Sequence, residues 1–129
     1  MDIALQGPKS REILVSICDD KTAAAKLNKL PRTDVMRAAL KGFDVIISRT
    51  GYTGESIAYE LFVPPEKAPA FWDLLMEVGP AYGMKPIGLG ARDSLRTEAG
   101  LPLYGHELAG PLNLLPNDAG FSSYVKVYK

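Results

Sequence analysis

The sequence predicts an α+β fold, in which a ferredoxin-like antiparallel sheet has helices on one face and an irregular C-terminal tail follows. Three features support this prediction. Short β-branched and apolar runs such as FDVIIS, Phe43 to Ser48, indicate strands. Longer segments with apolar residues at helical spacing lie between those strands and after them. The resulting order, roughly strand, helix, two or three strands, helix and strand, is typical of ferredoxin-like domains.

The first half of the chain begins with an apolar strand, Ile3 to Leu5, that Gln6-Gly7-Pro8 ends. Ile13, Leu14 and Ile17 then share one helical face. A second helix is predicted near Lys21 to Lys29, because that segment is rich in alanine and lysine and Pro31 follows it. Two further strands, Val35 to Leu40 and Phe43 to Ser48, flank a predicted turn at Lys41-Gly42.

The second half begins with a polar, glycine-rich loop from Arg49 to Ser56. YELFV, Tyr59 to Val63, is predicted as a strand that directs Tyr59, Leu61 and Val63 to one face and Glu60 and Phe62 to the other. Three segments follow it: an amphipathic helix over Glu66 to Val78 with Ala70, Phe71, Leu74, Leu75 and Val78 inward, a strand or extended segment over Met84 to Leu89, and a short helix over Ala91 to Ala99.

Gly100 is the expected C-terminal glycine of that short helix. We expect residues 1–100 to form the ferredoxin-like domain and residues 101–129 to begin an incomplete following segment. Within that tail, Tyr124 to Tyr128 could form an edge strand.

Composition restricts the classes of function. Lysine plus arginine equals aspartate plus glutamate, at 15 each, so the total charge gives no basic field for nucleic acid or an anionic membrane. No apolar run approaches the ~20 residues that cross a bilayer. Cys18 and His106 are the only residues of their types, which argues against a metal site and an intrachain disulfide. A lone cysteine also fits a reducing compartment.

Two segments carry the groups that chemistry needs. RTGYTGE, Arg49 to Glu55, has glycines that permit positive φ or close backbone approach, together with hydroxyl groups; from the residues alone it fits an ordinary hairpin loop as well as a binding loop. GLGARDSLRTEAGLPLYG, from Gly88, places Arg92 and Arg96 on one helical face, where Asp93 and Glu98 could pair with them. Neither Walker nor Rossmann glycine spacing occurs.

ALQGPKS, from Ala4, and these two segments together resemble three signatures of the glycine cleavage system T-protein family, in its order and at about its spacing. The resemblance implies an aminomethyltransferase that moves the aminomethyl carbon of a lipoyl-bound intermediate to tetrahydrofolate, giving methylenetetrahydrofolate and ammonia. It implies the lipoyl carrier H-protein as partner, tetrahydrofolate as acceptor substrate, no metal, and a cytoplasmic location, or a mitochondrial one in a eukaryote.

The resemblance also implies folate-contact residues. The family's contact glutamate matches Glu60 and its contact arginine matches Arg92, while Tyr52 is a candidate for an aromatic contact. A carboxylate suits a pterin ring, which presents an amino group and a ring N–H side by side, and arginine offers a planar fork to a carbonyl or carboxylate. Arg92 would contact the folate or orient Glu60.

The chain departs from the family between the loop and the glutamate. Ser56-Ile57-Ala58-Tyr59 replaces an acidic-glycine-aromatic link and is one residue longer. Glu60 keeps its face if the extra residue is absorbed before Tyr59, and points away if the strand register slips.

The family's catalytic aspartate precedes the ALQGP signature, so no catalytic residue is assigned here. We expect the chain alone to be inactive and its uncovered apolar surface to favour self-association.

Two other functions remain open from the sequence. One is a related folate-binding domain of a dimethylglycine or sarcosine dehydrogenase or of a demethylase. The other is a non-catalytic folate-binding or iron–sulfur assembly module, although its lysine-glycine-cysteine-tyrosine signature is absent from the sequence.

Overall fold

The computed structural model describes residues 1–126. They divide into two compact units, Met1–Gly88 and a second that begins at Leu89. The first unit contains all four strands and three of the α-helices; the elements are β1 (Asp2–Gln6), α1 (Ser10–Ser16), α2 (Lys21–Asn28), β2 (Val35–Leu40), β3 (Phe43–Ser48), β4 (Ala58–Phe62) and α3 (Ala68–Val78). The second unit contains α4 (Leu89–Glu98) and a short 3-10 helix, Ser122–Tyr124.

The four strands form one antiparallel sheet in the order β1-β4-β3-β2. β2 and β3 are joined by the tight turn at Lys41 and Gly42, whose φ angles are 48° and 81°. Positive φ at both central residues matches the twist of a two-residue hairpin. The α+β class and the antiparallel sheet are therefore confirmed.

One face of the sheet packs against all three helices of the first unit. Alternate strand residues point into this core, as period-2 side-chain geometry requires. Tyr59, Leu61 and Val63 are buried, so the predicted alternation of the YELFV segment is confirmed. The helices contribute Ile13, Leu14, Leu27, Phe71 and Leu75.

The opposite face of the sheet, which we call the open face, carries Glu60 and Phe62 from β4. Ile46 of β3 pairs directly with Phe62, and both side chains are exposed. An exposed apolar pair of this kind marks a surface suited to further contacts.

The segment after β4 differs from the prediction in two ways. The helix predicted from Glu66 begins as a 3-10 turn at Pro65–Lys67 and becomes α-helical only at Ala68. Ala70 is exposed and Ala68 is buried in its place, because the helix buries the narrower face that contains Phe71 and Leu75.

Residues 84–88 form no strand or other regular secondary structure, and α4 begins at Leu89. Proline at position 86 removes a backbone donor from any sheet ladder there.

The tail has little regular structure. Gly100 ends α4 with φ 67°, and its N–H donates to the Thr97 carbonyl at 2.9 Å, as predicted for a terminal glycine. Tyr124 lies in the 3-10 helix rather than in the proposed edge strand, whose last two residues lie outside the described part. Within residues 1–126, no helix is long and apolar enough to span a bilayer.

Candidate functional site

Glu60 lies in the middle of β4, on the open face. Its neighbours across the strands are Ala4 of β1 and Ser48 of β3. The side chain of Tyr59, one position earlier, is completely buried on the opposite face. The register of β4 is therefore the one expected if the extra loop residue is absorbed before Tyr59, and it leaves Glu60 on the open face.

The extra residue of the loop is absorbed in a bend before β4 begins. Glu55 stabilises this bend, since its Oε1 atom accepts the N–H of Ser56 at 2.8 Å and the N–H of Ile57 at 3.3 Å. Ile57 is then fixed from the other side, because its carbonyl accepts the N–H of Gly7 at 3.0 Å. Glu55 is thus a structural residue of the loop, whereas the carboxylate of Glu60 lies on the sheet.

The Glu60 carboxylate is held by hydroxyl groups from the end of β3. The Thr50 hydroxyl donates to its Oε2 atom. The Thr50 Oγ1 atom is in turn 2.8 Å from the Oγ atom of Ser48. Glu60 itself is half-buried, so the carboxylate is held in place and still reachable from solvent.

Gln6 and the glycine-rich loop form a second set of contacts on the same face. The Thr53 hydroxyl donates to Gln6 Oε1 at 2.9 Å. A side chain at position 51 would clash with Gln6 and Ala58, because a Cβ atom on Gly51 would lie 2.3 Å from Gln6 Oε1 and 2.6 Å from Ala58 Cβ. Close backbone approach is thus why glycine is needed at position 51, whereas Gly54 adopts a positive φ of 78°.

Tyr52 lies in the same loop and is half-buried. It belongs to the first compact unit, as Glu60 does. Arg49, at the start of the loop, anchors the loop to the residues that follow α2, because its guanidinium donates to the Leu30 carbonyl at 2.7 Å. The loop that carries Tyr52 is therefore fixed at both ends, by Arg49 and by Glu55.

The two arginines of α4 have different surroundings within the second unit. Arg92 is exposed and forms no ion pair with any residue from 1 to 126. Arg96 is only 3% exposed and is paired with Asp93 and Glu107. The Arg96–Asp93 pairing was among those expected from the sequence; Glu107 was missed, because it lies in a tail with no periodic pattern.

Glu107 completes the surroundings of Arg96. Its Oε2 atom accepts from Arg96 Nη1 at 2.5 Å and from the backbone N–H of Leu103 at 3.0 Å. The Arg96 hydrogen bond and, after it, that from Leu103 lower the pKa of Glu107 to about 2. Charge-assisted bonds that favour the ionised form have this effect. This network organises the second unit, and it leaves Arg92 as the arginine of α4 that is available to a ligand.

Metal ligands are not grouped anywhere in the described part of the chain: no three His, Cys, Asp or Glu side chains lie where they could share a metal ion. His106 is exposed, and its Nδ1 atom is 3.5 Å from Arg96 Nη2. Cys18 is half-buried, with Sγ 3.5 Å from the Asp20 carbonyl. Cys18 belongs to the first unit and His106 to the second.

Comparison with known proteins identifies the family. The family model described as "GCVT N-terminal domain" matches residues 1–129. The chain is 44% identical over 128 residues to a protein named aminomethyltransferase from Thermoanaerobacter sp. (strain X514), covering 99% of this chain and 33% of that relative. It is 46% identical over 128 residues to an aminomethyltransferase from Alkaliphilus metalliredigens (strain QYMF), with the same two coverages of 99% and 33%. The chain thus spans about a third of the length of these curated relatives. On this evidence the chain belongs to the GCVT N-terminal domain family, that of the glycine cleavage T-protein.

Proposed function

We propose that this chain is the folate-binding part of an aminomethyltransferase. In the proposed reaction, the aminomethyl group of a lipoyl-bound intermediate passes to tetrahydrofolate. The carbon loses its bonds to sulfur and to the amine nitrogen and forms two bonds to folate nitrogens. The two protons that leave those nitrogens end on the thiol and on ammonia. The lipoyl group would be presented by the H-protein. Family membership and the name aminomethyltransferase that the relatives carry support this reaction class.

The observation that carries the proposal is the anchored carboxylate of Glu60 on the open face. An ionised carboxylate only accepts hydrogen bonds, and each of its oxygens has two lone pairs. The bond from Thr50 occupies one lone pair of Oε2. Both oxygens therefore keep capacity for the adjacent amino group and ring N–H of a pterin, which is the bidentate arrangement that charge-assisted pairs favour.

Arg92 is the second proposed folate contact, for a carbonyl or carboxylate of the ligand. It is exposed on α4, whereas Arg96 on the same helix is buried and bonded to Asp93 and Glu107. A guanidinium already satisfied by two carboxylates has few donors left for a ligand. Tyr52 is proposed as an aromatic contact from the fixed glycine-rich loop. No residue of this chain is proposed as catalytic.

Calorimetric titration of tetrahydrofolate into the complete polypeptide that contains this sequence tests the proposal. Glu60→Gln and Arg92→Met should each weaken binding roughly tenfold or more, because losing a charge-assisted hydrogen bond costs ~1.5–3 kcal/mol. Glu66→Gln and Arg32→Met are matched controls at exposed positions and should leave the affinity unchanged. Unchanged affinity in both site variants, with circular dichroism showing an intact fold, would refute the proposed folate contacts.

A further inference from the structure

Three polar side chains on the open face form a directed chain of hydrogen bonds. The Thr50 hydroxyl lies between the Oε2 atom of Glu60 and the Oγ atom of Ser48. A hydroxyl has a single proton, and an ionised carboxylate has none to give. Thr50 must therefore donate to Glu60, and Ser48 must donate to Thr50. The direction of both bonds follows from this count of protons.

The chain of hydroxyls is attached to the sheet at both ends. Ser48 is the last residue of β3 and pairs in register with Glu60 of β4, so the sheet itself fixes the separation of these two residues. Ser48 is also buried, at 8% exposure. Thr50 lies two positions beyond the end of β3, and its β-branched side chain has few accessible χ1 rotamers. The carboxylate is consequently held by groups that have little freedom of their own.

We propose that Thr50 is a positioning residue for the Glu60 carboxylate, and that Ser48 orients the Thr50 hydroxyl. This inference rests on the proposed folate-binding role of Glu60. A glutamate on an open sheet face would otherwise sample several rotamers and would lose that freedom when a ligand binds. Because Thr50 already immobilises the carboxylate in the free protein, ligand binding does not have to offset the entropy cost of immobilising it.

The expected size of the effect follows from the entropy of one side chain. Immobilising a flexible side chain on binding costs about 0.5–1.5 kcal/mol, which corresponds to about 2- to 12-fold in Kd. Thr50→Val, which keeps the shape and removes the hydroxyl, should weaken tetrahydrofolate binding by that factor. Thr50→Ser, which keeps the hydroxyl, should bind nearly as the unmodified protein does. Ser48→Ala should have a smaller effect in the same direction.

Thr53→Val is the matched control. Thr53 lies in the same loop, and its hydroxyl bonds to Gln6 rather than to Glu60. A general loosening of the loop would weaken binding in Thr53→Val as much as in Thr50→Val. Positioning of the carboxylate predicts instead that Thr53→Val leaves the affinity close to that of the unmodified protein.

A double-mutant comparison by calorimetry, again in the complete polypeptide, separates positioning from a merely structural role. If Thr50 acts through Glu60, then Thr50→Val should have no further effect on Kd in the Glu60→Gln background. In turnover assays Thr50→Val should raise KM for tetrahydrofolate and leave both kcat and KM for the lipoyl carrier unchanged.

The possible outcomes distinguish the two proposals. If Glu60→Gln weakens binding and Thr50→Val does not, or if their effects are independent, the positioning role is wrong and the folate contact stands. If Glu60→Gln and Thr50→Val both bind tetrahydrofolate as the unmodified protein does, the folate contact is wrong and the positioning role fails with it. The inference is supported only when Thr50→Val weakens binding, Thr50→Ser restores it and the effect disappears in the Glu60→Gln background.

Discussion

The guanidinium of Arg96 is bonded to the carboxylate of Glu107, eleven positions further along the chain, at 2.5 Å between Nη1 and Oε2. Arg96 is the one residue of the second unit's described part that is buried. Exposed apolar side chains are common there; they include Leu89, Leu112, Leu115 and Tyr124. A charged network, rather than an apolar core, thus organises this unit.

The first prediction concerns the pH dependence of stability. The folded-state pKa of Glu107 is about 2, against an ordinary value of 4.5. A lowered folded pKa means that the stabilising contribution is fully present above about pH 4.5 and is lost as the pH falls towards 2. Urea unfolding followed by circular dichroism between pH 6 and pH 2.5 should therefore show a shallower loss of stability in Glu107→Gln than in the unmodified chain.

The control for this prediction is Glu98→Gln, an exposed carboxylate on the same helix as Arg96. Its acid unfolding profile should be parallel to that of the unmodified chain. If Glu107→Gln and the unmodified chain lose stability at the same rate across this range, then Glu107 does not have the lowered pKa on which the prediction depends.

The second prediction concerns Gly51. A Cβ atom there would lie 2.6 Å from the Cβ atom of Ala58 and 2.3 Å from Gln6 Oε1. The end of the Gln6 side chain can move, but Ala58 is fixed in β4. Gly51→Ala should therefore destabilise the chain by about 1–3 kcal/mol, as is usual for overpacking. Gly88→Ala is the control, because its Cβ would meet nothing within 4 Å. Equal urea midpoints for the two variants would contradict the close approach at Gly51.

The third prediction concerns self-association through the open face. Ile46 and Phe62 pair across strands there and are 46% and 41% exposed. At high concentration the isolated 129-residue chain should associate, and Ile46→Thr with Phe62→Thr should reduce this association while retaining strand-compatible side chains. Light scattering after size exclusion measures it. Trp72→Gln is the control, because Trp72 is exposed on α3, the helix that packs on the opposite face of the sheet; an equal reduction in that variant would assign the association to another surface.

The fourth prediction is that this chain by itself does not catalyse aminomethyl transfer at the rate of an intact enzyme. It spans about a third of the length of its aminomethyltransferase relatives. Sites for large flat ligands bury most of the ligand and need walls on several sides. An assay of ammonia release from aminomethylated lipoyl carrier and tetrahydrofolate measures turnover. A rate near that of a full-length relative would show that these 129 residues are sufficient.

Most of the first unit could be predicted from the sequence, because its signals are local. Both β2 and β3 were predicted with the bounds later observed, β3 from its β-branched and apolar run, and the alternation in YELFV placed Tyr59 and Glu60 on opposite faces. Periodicity needs no knowledge of the partner surface, since side-chain direction follows from backbone geometry alone. Where a local pattern was short, as at Met84 to Leu89, the strand interpretation was not supported.

What the sequence by itself determined was the α+β class, the family signatures and the alternation of side chains along β4; the register that leaves Glu60 on the open face was decided by the tertiary structure. Only the tertiary structure showed that Thr50 donates to Glu60, that Glu55 closes the bend before β4, and that Glu107 reaches Arg96. These contacts join residues 10, 1 and 11 positions apart across a loop or an irregular tail. No repeating backbone geometry connects them, so only the folded path of the chain brings their polar groups within bonding distance.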